Sequence, residues 1–182
     1  MAKQTINIGS AANDGTGSTL RAAFDITNDN FTELYDGSGG LLHKIEGTNF
    51  TGSLLVGHST TGTLSSALGN TGIGIAALDG LTSGDYNVAV GNEAGANITT
   101  GSQNILIGRQ AGLSLTTGSN NVAVGHGSLK TEDTHGKNVA IGYETLKNQD
   151  AGSDAYNVAM GYQAGVAVTT GNKNTFLGGE AA

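Results

Sequence analysis

The chain contains no cysteine, no proline and no tryptophan, and its 182 residues include only five tyrosines and four phenylalanines. Without cysteine there are no disulfides and no thiolate metal sites, although the compartment stays open, because an extracellular protein can manage without them. With so few aromatic rings, a conventional globular core has little to build on. Charged residues are also scarce at 13 %, and eight basic against fifteen acidic side chains give a formal net charge of −7. A scattered handful of Lys and Arg is a poor electrostatic footprint for nucleic acid or an anionic membrane, so neither is an expected partner. The opening MAKQTINIGS has no apolar run of the signal-peptide kind, and no stretch approaches a membrane span, so no membrane insertion is expected. The composition argues against disorder as well, because disorder couples low hydrophobicity to high charge and here 37 % of residues are apolar.

What the sequence does have is glycine, 31 of them, set in a repeat. Aligned on their first residue, the units begin at Asn70, Asn87, Asn104, Asn121, Asn138, Asn157 and Asn174, at intervals of 17 residues except for one of 19 between Asn138 and Asn157. A weaker copy starts at Ser53. Four positions into each unit comes a turn glycine: Gly57 in the weak copy, then Gly74, Gly91, Gly108, Gly125, Gly142, Gly161 and Gly178. A second glycine closes most units (Gly84, Gly101, Gly118, Gly152, Gly171), slipping to Gly136 in one, so the two extra residues fall in a turn between Gly152 and Asn157.

Each unit opens with a period-two alternation: Val88 and Val90, Ile105 and Ile107, Val122 and Val124, Val139 and Ile141, Val158 and Met160. That is a short strand with one apolar face, and the larger aliphatic residues are expected to point inward as the core column. The residue between them is usually Ala, with Leu106 and Phe176 as exceptions. A further apolar residue recurs at the eleventh step as Leu81, Ile98, Leu115 and Val168. Where that step turns polar, at Glu132 and Gln149, a Leu stands three places earlier, as Leu129 and Leu146. One core slot is therefore filled from either of two places.

A short unit holding a strand, a glycine turn, a second apolar piece and a TTG turn is one coil of a β-solenoid or β-roll, an all-β fold. A lone coil buries too few aliphatic side chains to offset its ordering entropy, so coils must stack, and association of several chains would bury more. At about 4.8 Å per coil the eight unit starts predict a rod roughly 35 Å long. The column of leading Asn residues has two readings: a hydrogen-bonded amide ladder running up the stack, or a simple preference for Asn in the turn before each strand.

Before the repeats the pattern changes. Thr5 to Ile8 alternates like a strand, NDGTG is a turn, and Ser18 or Thr19 is placed to cap a helix ending near Tyr35, with Gly37 just beyond. Leu20, Phe24, Thr27, Phe31 and Leu34 make a heptad seam of a little over two heptads, which serves either to trimerise the chain or to pack on the same chain. The expected organisation is an attachment and trimerisation segment over 1–40, a linker over 41–52 and the solenoid over 53–182.

The stretch NDGTGSTLRAAFDITNDNFTELY resembles the N-terminal segment of structural proteins and fibres in tailed bacteriophages. The repeats resemble the Asn-Xaa-Ala-Val/Ile-Gly units of phage tail-fibre shafts, and less closely the head repeats of trimeric autotransporter adhesins. The resemblance implies a homotrimeric tail or head fibre at the virion surface, made in the host cytoplasm and joined to other virion proteins through residues 1–40. Many such fibres end in a self-cleaving chaperone domain or a receptor-binding tip, and neither pattern is present.

Catalytic, cofactor and metal signals are weak by comparison. GIGIAA at 72–77 imitates a dinucleotide fingerprint, but it is one more repeat unit, and the period leaves no room for the helix and downstream acid of a βαβ context. The histidines His43, His58, His126 and His135 form no close ligand pair, and the turn aspartates do not follow the spacing of calcium β-rolls. Glu93 and Glu144 fall in related positions three units apart, about 14 Å along the rod, too far for paired-carboxylate glycoside cleavage. No enzyme activity, cofactor or metal is therefore expected. Exposed turn residues Arg109, His126, Tyr143 and Tyr162 offer an alternative role, adhesive binding of a host-surface glycan. A column of Thr99, Thr116 and Thr169 hints at ice binding, but Asp133 and Asp150 interrupt it.

Overall fold

The structure, a computed structural model, describes residues 43–47, 50–56 and 66–182. The expected N-terminal strand and the helix with Leu20, Phe24, Thr27, Phe31 and Leu34 lie outside the described residues, as does Gly57. Residues 43–182 form one compact unit, all-β, with no helix among the described residues.

The strands are β1 (His43–Gly47), β2 (Phe50–Val56), β3 (Ala67–Leu68), β4 (Thr71–Ile73), β5 (Val88–Val90), β6 (Ile105–Ile107), β7 (Val122–Val124), β8 (Val139–Ile141), β9 (Val158–Met160) and β10 (Thr175–Leu177). They make one sheet in the order β1-β2-β4-β5-β6-β7-β8-β9-β10, with β3 paired to β2. From β2 onward every pairing is parallel and offset by one repeat, as in Leu54↔Thr71, Val88↔Ile105 and Val122↔Val139. The longer unit keeps this register, pairing Val139 with Val158. The fold is thus a β-solenoid of 17-residue coils. Its first turn differs from the sequence reading in one respect: β1, which lies where a linker over 41–52 was expected, pairs antiparallel with β2 from Gly47↔Phe50 to His43↔Val56. The weak copy at Ser53 is a true rung, because Leu54, Leu55 and Val56 pair with β4.

Three-residue strands alone would make a weak ladder, so the turns bond from coil to coil as well. Leu78 N–H donates to the Ala94 carbonyl at 3.1 Å, Gly80 N–H to Ala96 at 2.7 Å and Tyr86 N–H to Leu68 at 2.8 Å, and equivalents recur up the stack. The second apolar piece of each coil is held this way without becoming a strand. The turn glycine after each strand is required sterically. Gly91 has φ +134°, and a Cβ on it would lie 2.7 Å from the carbonyl of Gly108 in the next coil. Gly108 and Gly125 share that conformation, at +131° and +134°.

The interior reverses the sequence expectation. The middle residue of each strand, Ala89, Leu106, Ala123, Ala140 or Ala159, is fully buried. The flanking residues expected as core, Val88, Val90, Ile105, Ile107, Val122, Val124, Val139, Ile141, Val158 and Met160, lie on the outer face, half-buried or exposed. The cause is space. The bore of each coil is already occupied by the eleventh-step residue (Leu81, Ile98, Leu115) and by an eighth-step leucine where one occurs (Leu78, Leu129, Leu146), all at 0 % exposure. That leaves room for a methyl at the strand centre. A larger side chain enters only opposite a glycine: a Cβ on Gly95 or Gly112 would meet the Leu106 side chain at 2.6 and 2.7 Å, and one on Gly165 would meet Phe176 at 3.1 Å. Leu129 and Leu146 hold φ of +48° and +49° at a step where Gly95 and Gly112 stand in other coils, accepting left-handed strain to fill the bore.

Candidate interaction surfaces

The interior carries polar structure of its own. The leading asparagines are fully buried from Asn70 to Asn157 and form an amide ladder. Asn104 Oδ1 accepts from the backbone N–H of Asn121 at 3.0 Å and from its Nδ2 at 3.2 Å, while Asn104 Nδ2 donates to Asn87 Oδ1 at 3.0 Å and to the Gly118 carbonyl at 2.9 Å. Of the two sequence readings, the ladder is what the stack contains. It is faulted where the repeat is irregular. At the slipped glycine, Asn121 Nδ2 has the His135 carbonyl as its turn acceptor in place of a glycine, at a longer 3.4 Å. At the two-residue insertion Gly152 swings into open space, and Asn138 Nδ2 makes no hydrogen bond.

Beside that fault lie the two polar residues of the core column. Glu132 and Gln149 are fully buried. Glu132 Oε1 accepts from the His135 backbone N–H at 3.2 Å, and Gln149 Oε1 from Asn157 Nδ2 at 2.9 Å. Glu132 Oε2 and Gln149 Nε2 have no partner. Burial raises the Glu132 carboxyl to about 7; backbone hydrogen bonding and nearby His135 oppose the rise, and Asp150 adds to it. Glu132, Asp133 and His135 bring one ligand atom each within 4.8 Å of one another, and this is the grouping that comes nearest to a metal site among the described residues.

On the surface, Arg109, His126, Tyr143 and Tyr162 fall in one column, as their spacing requires. The rings of His126 and Tyr143 stack at 5.2 Å, those of Tyr143 and Tyr162 at 5.3 Å, and Arg109 Nη1 donates to His126 Nε2 at 3.1 Å. The next column is polar and self-paired: Gln110 Nε2 donates to Glu93 Oε2 at 2.7 Å, and Glu144 accepts from Lys147 at 2.8 Å and from Gln163 at 3.0 Å. Lysine and amide donors hold the Glu144 carboxyl below the usual carboxylate range. Glu93 and Glu144 are thus tied to different partners. The hydroxyls of Thr99 and Thr116 donate to the carbonyls of Thr116 and Asp133 in the following coil, both at 3.1 Å, which binds the stack rather than presenting a flat hydroxyl face. No helix is long and apolar enough to cross a membrane among the described residues.

The outer face of the sheet is a further, chemically uniform surface. The first and third strand positions run up the stack as two columns from Leu54 and Val56 to Thr175 and Leu177, without a charged residue and aliphatic except at Thr71 and Thr175. Ile73, Ile105, Ile107, Val158 and Met160 are 39–45 % exposed and Leu177 is 76 % exposed. Sequence reasoning found these residues but assigned them to the wrong side. The signal for the correct side was the pairing of a large strand-centre residue with an eighth-step glycine, as in Leu106 with Gly112. No protein-family model, curated protein or solved structure matches the chain.

Proposed function

We propose that the chain is a non-enzymatic structural protein of a phage virion, a homotrimeric fibre shaft joined to the particle by its N-terminal segment, on the tail or on the head. The observation that carries the reading is the unbroken register of the stack, since pairings shifted by one unit run from β2 to β10 straight through a two-residue insertion. A chain built to hold that register at every rung is suited to stiffness and length. Ladder amides, strand hydrogen bonds and turn hydrogen bonds all run along the same axis, so bending the rod breaks several at once. The N-terminal resemblance to phage structural proteins supplies the particle and the end that attaches.

The glycan-binding alternative is weakened by the ring column. A sugar stacks on an open aromatic face, whereas Tyr143 is covered on both sides by His126 and Tyr162 and presents its edge. The test is an N-terminal gold label on purified particles. A label at the particle surface with a thin rod projecting from it is the expected image; particles that lack the protein would refute the reading. A glycan array of the isolated protein separates the alternative.

A further inference from the structure

Parallel sheets are almost always covered on both faces. Here one face covers the bore, and the other presents to solvent two uncharged columns that are aliphatic except at Thr71 and Thr175. We infer that this outer sheet face is the contact through which copies of this chain pack together, three copies facing a common axis with their rungs level. The face follows from the geometry; the number three and the shared direction rest on the fibre reading.

Three properties select a second copy as the occupant. The first is pitch. The columns are ridged at the inter-strand spacing of about 4.8 Å over eight rungs, and a partner that interdigitates along the whole length needs the same spacing, which another copy has by construction. The second is chemistry. Neither column carries a charge, although the chain as a whole has a net charge of −7, so the acidic groups that would keep two copies apart lie off this face. The third is area. Of the fourteen aliphatic side chains, eight are exposed, from 37 % at Leu54 to 76 % at Leu177, and six are half-buried, so together they present on the order of 500 Å² of apolar surface. That is near the top of the range for the largest patch on an ordinary monomer, and a contact burying it on both sides reaches about 1,000 Å², the lower bound for a specific interface.

The central rungs give the sharpest test, because their outward side chains touch nothing in the bore. Sedimentation equilibrium of the full wild-type chain is expected to give a trimer. The double variant Ile107→Asp with Val124→Asp is expected to give a monomer that keeps the β circular-dichroism spectrum, with association weakened at least 100-fold. A wild-type chain that is monomeric at tens of micromolar overturns the inference and the trimeric part of the fibre reading and leaves only the solenoid fold standing, whereas a double variant that keeps the trimer mass overturns the inference alone. A wild-type dimer broken by the same variant supports the face and refutes the trimer. Should the double variant fail to fold, Val90→Cys decides: its thiol is expected to be protected from alkylation in a concentration-dependent way, and reaction as fast as Asn92→Cys at every concentration overturns the inference.

Discussion

Glu132 is a carboxyl at the step where earlier coils carry Leu81, Ile98 and Leu115, and Glu132→Gln isolates what its charge does. Burial moves the group from 4.5 to about 7. The folded chain therefore holds this proton more tightly than the unfolded chain does. The resulting stability is fully present below pH 4.5, declines as pH rises through 7 and is absent above it. At about 1.36 kcal/mol per pKa unit, the wild-type protein should lose about 2–3 kcal/mol between pH 5 and pH 8 from this group alone. The neutral amide removes the dependence, so the variant should be the more stable protein at pH 8 by up to about 3 kcal/mol and nearly equal at pH 5. With a urea slope of about 1–3 kcal/mol per molar, the midpoints at pH 8 should differ by on the order of 1 M. Glu144 and Asp154, whose carboxyls are held low by Lys147 and Lys137, act with the opposite sign at acid pH and cancel in the difference between the two proteins. Urea titrations at pH 5, 6, 7 and 8 decide the matter. Parallel pH profiles for wild type and Glu132→Gln would refute the buried-charge account.

Leu106→Ala empties the bore between Gly95 and Gly112, neither of which has a side chain to fill it, and should cost about 2–5 kcal/mol in urea unfolding. Asn104→Ala removes the ladder's central amide and takes away the partners of the buried Asn121 backbone N–H and the Gly118 carbonyl, while Asn87 Oδ1 keeps the Asn104 backbone N–H; a loss of about 3 kcal/mol is expected, with faster amide exchange at Asn121. Gly125→Ala puts a methyl against the Gly142 carbonyl at a φ of +134° and should abolish the folded stack, whereas Gly152→Ala, in open space, should change stability by less than about 0.5 kcal/mol.

The period was legible because every coil must return to the same register, and a one-residue slip would exchange the two faces of each strand. The turn glycines were legible for a related reason, since only glycine lets successive coils approach at that corner. Which face pointed inward was not, because alternation reports that two faces differ without saying which is covered. Bulk suggested Val and Ile for the inside, but Ala123 and Ala140 occupy it because Leu129 and Leu146 come from the opposite wall of a narrow bore. Glu132 and Gln149 were noticed as substitutions in the core column. That Glu132 Oε2 and Gln149 Nε2 would be left without partners depends on side-chain geometry that a repeat alignment does not hold.

The extra residues between Gly152 and Asn157 carry a consequence for how such a rod can change. Their extension leaves the strand pairing above and below undisturbed, and the local cost is one orphaned amide at Asn138. Length added at that corner is shed sideways, so a foreign peptide grafted there would be displayed on the flank of the stack while the rungs continue to climb.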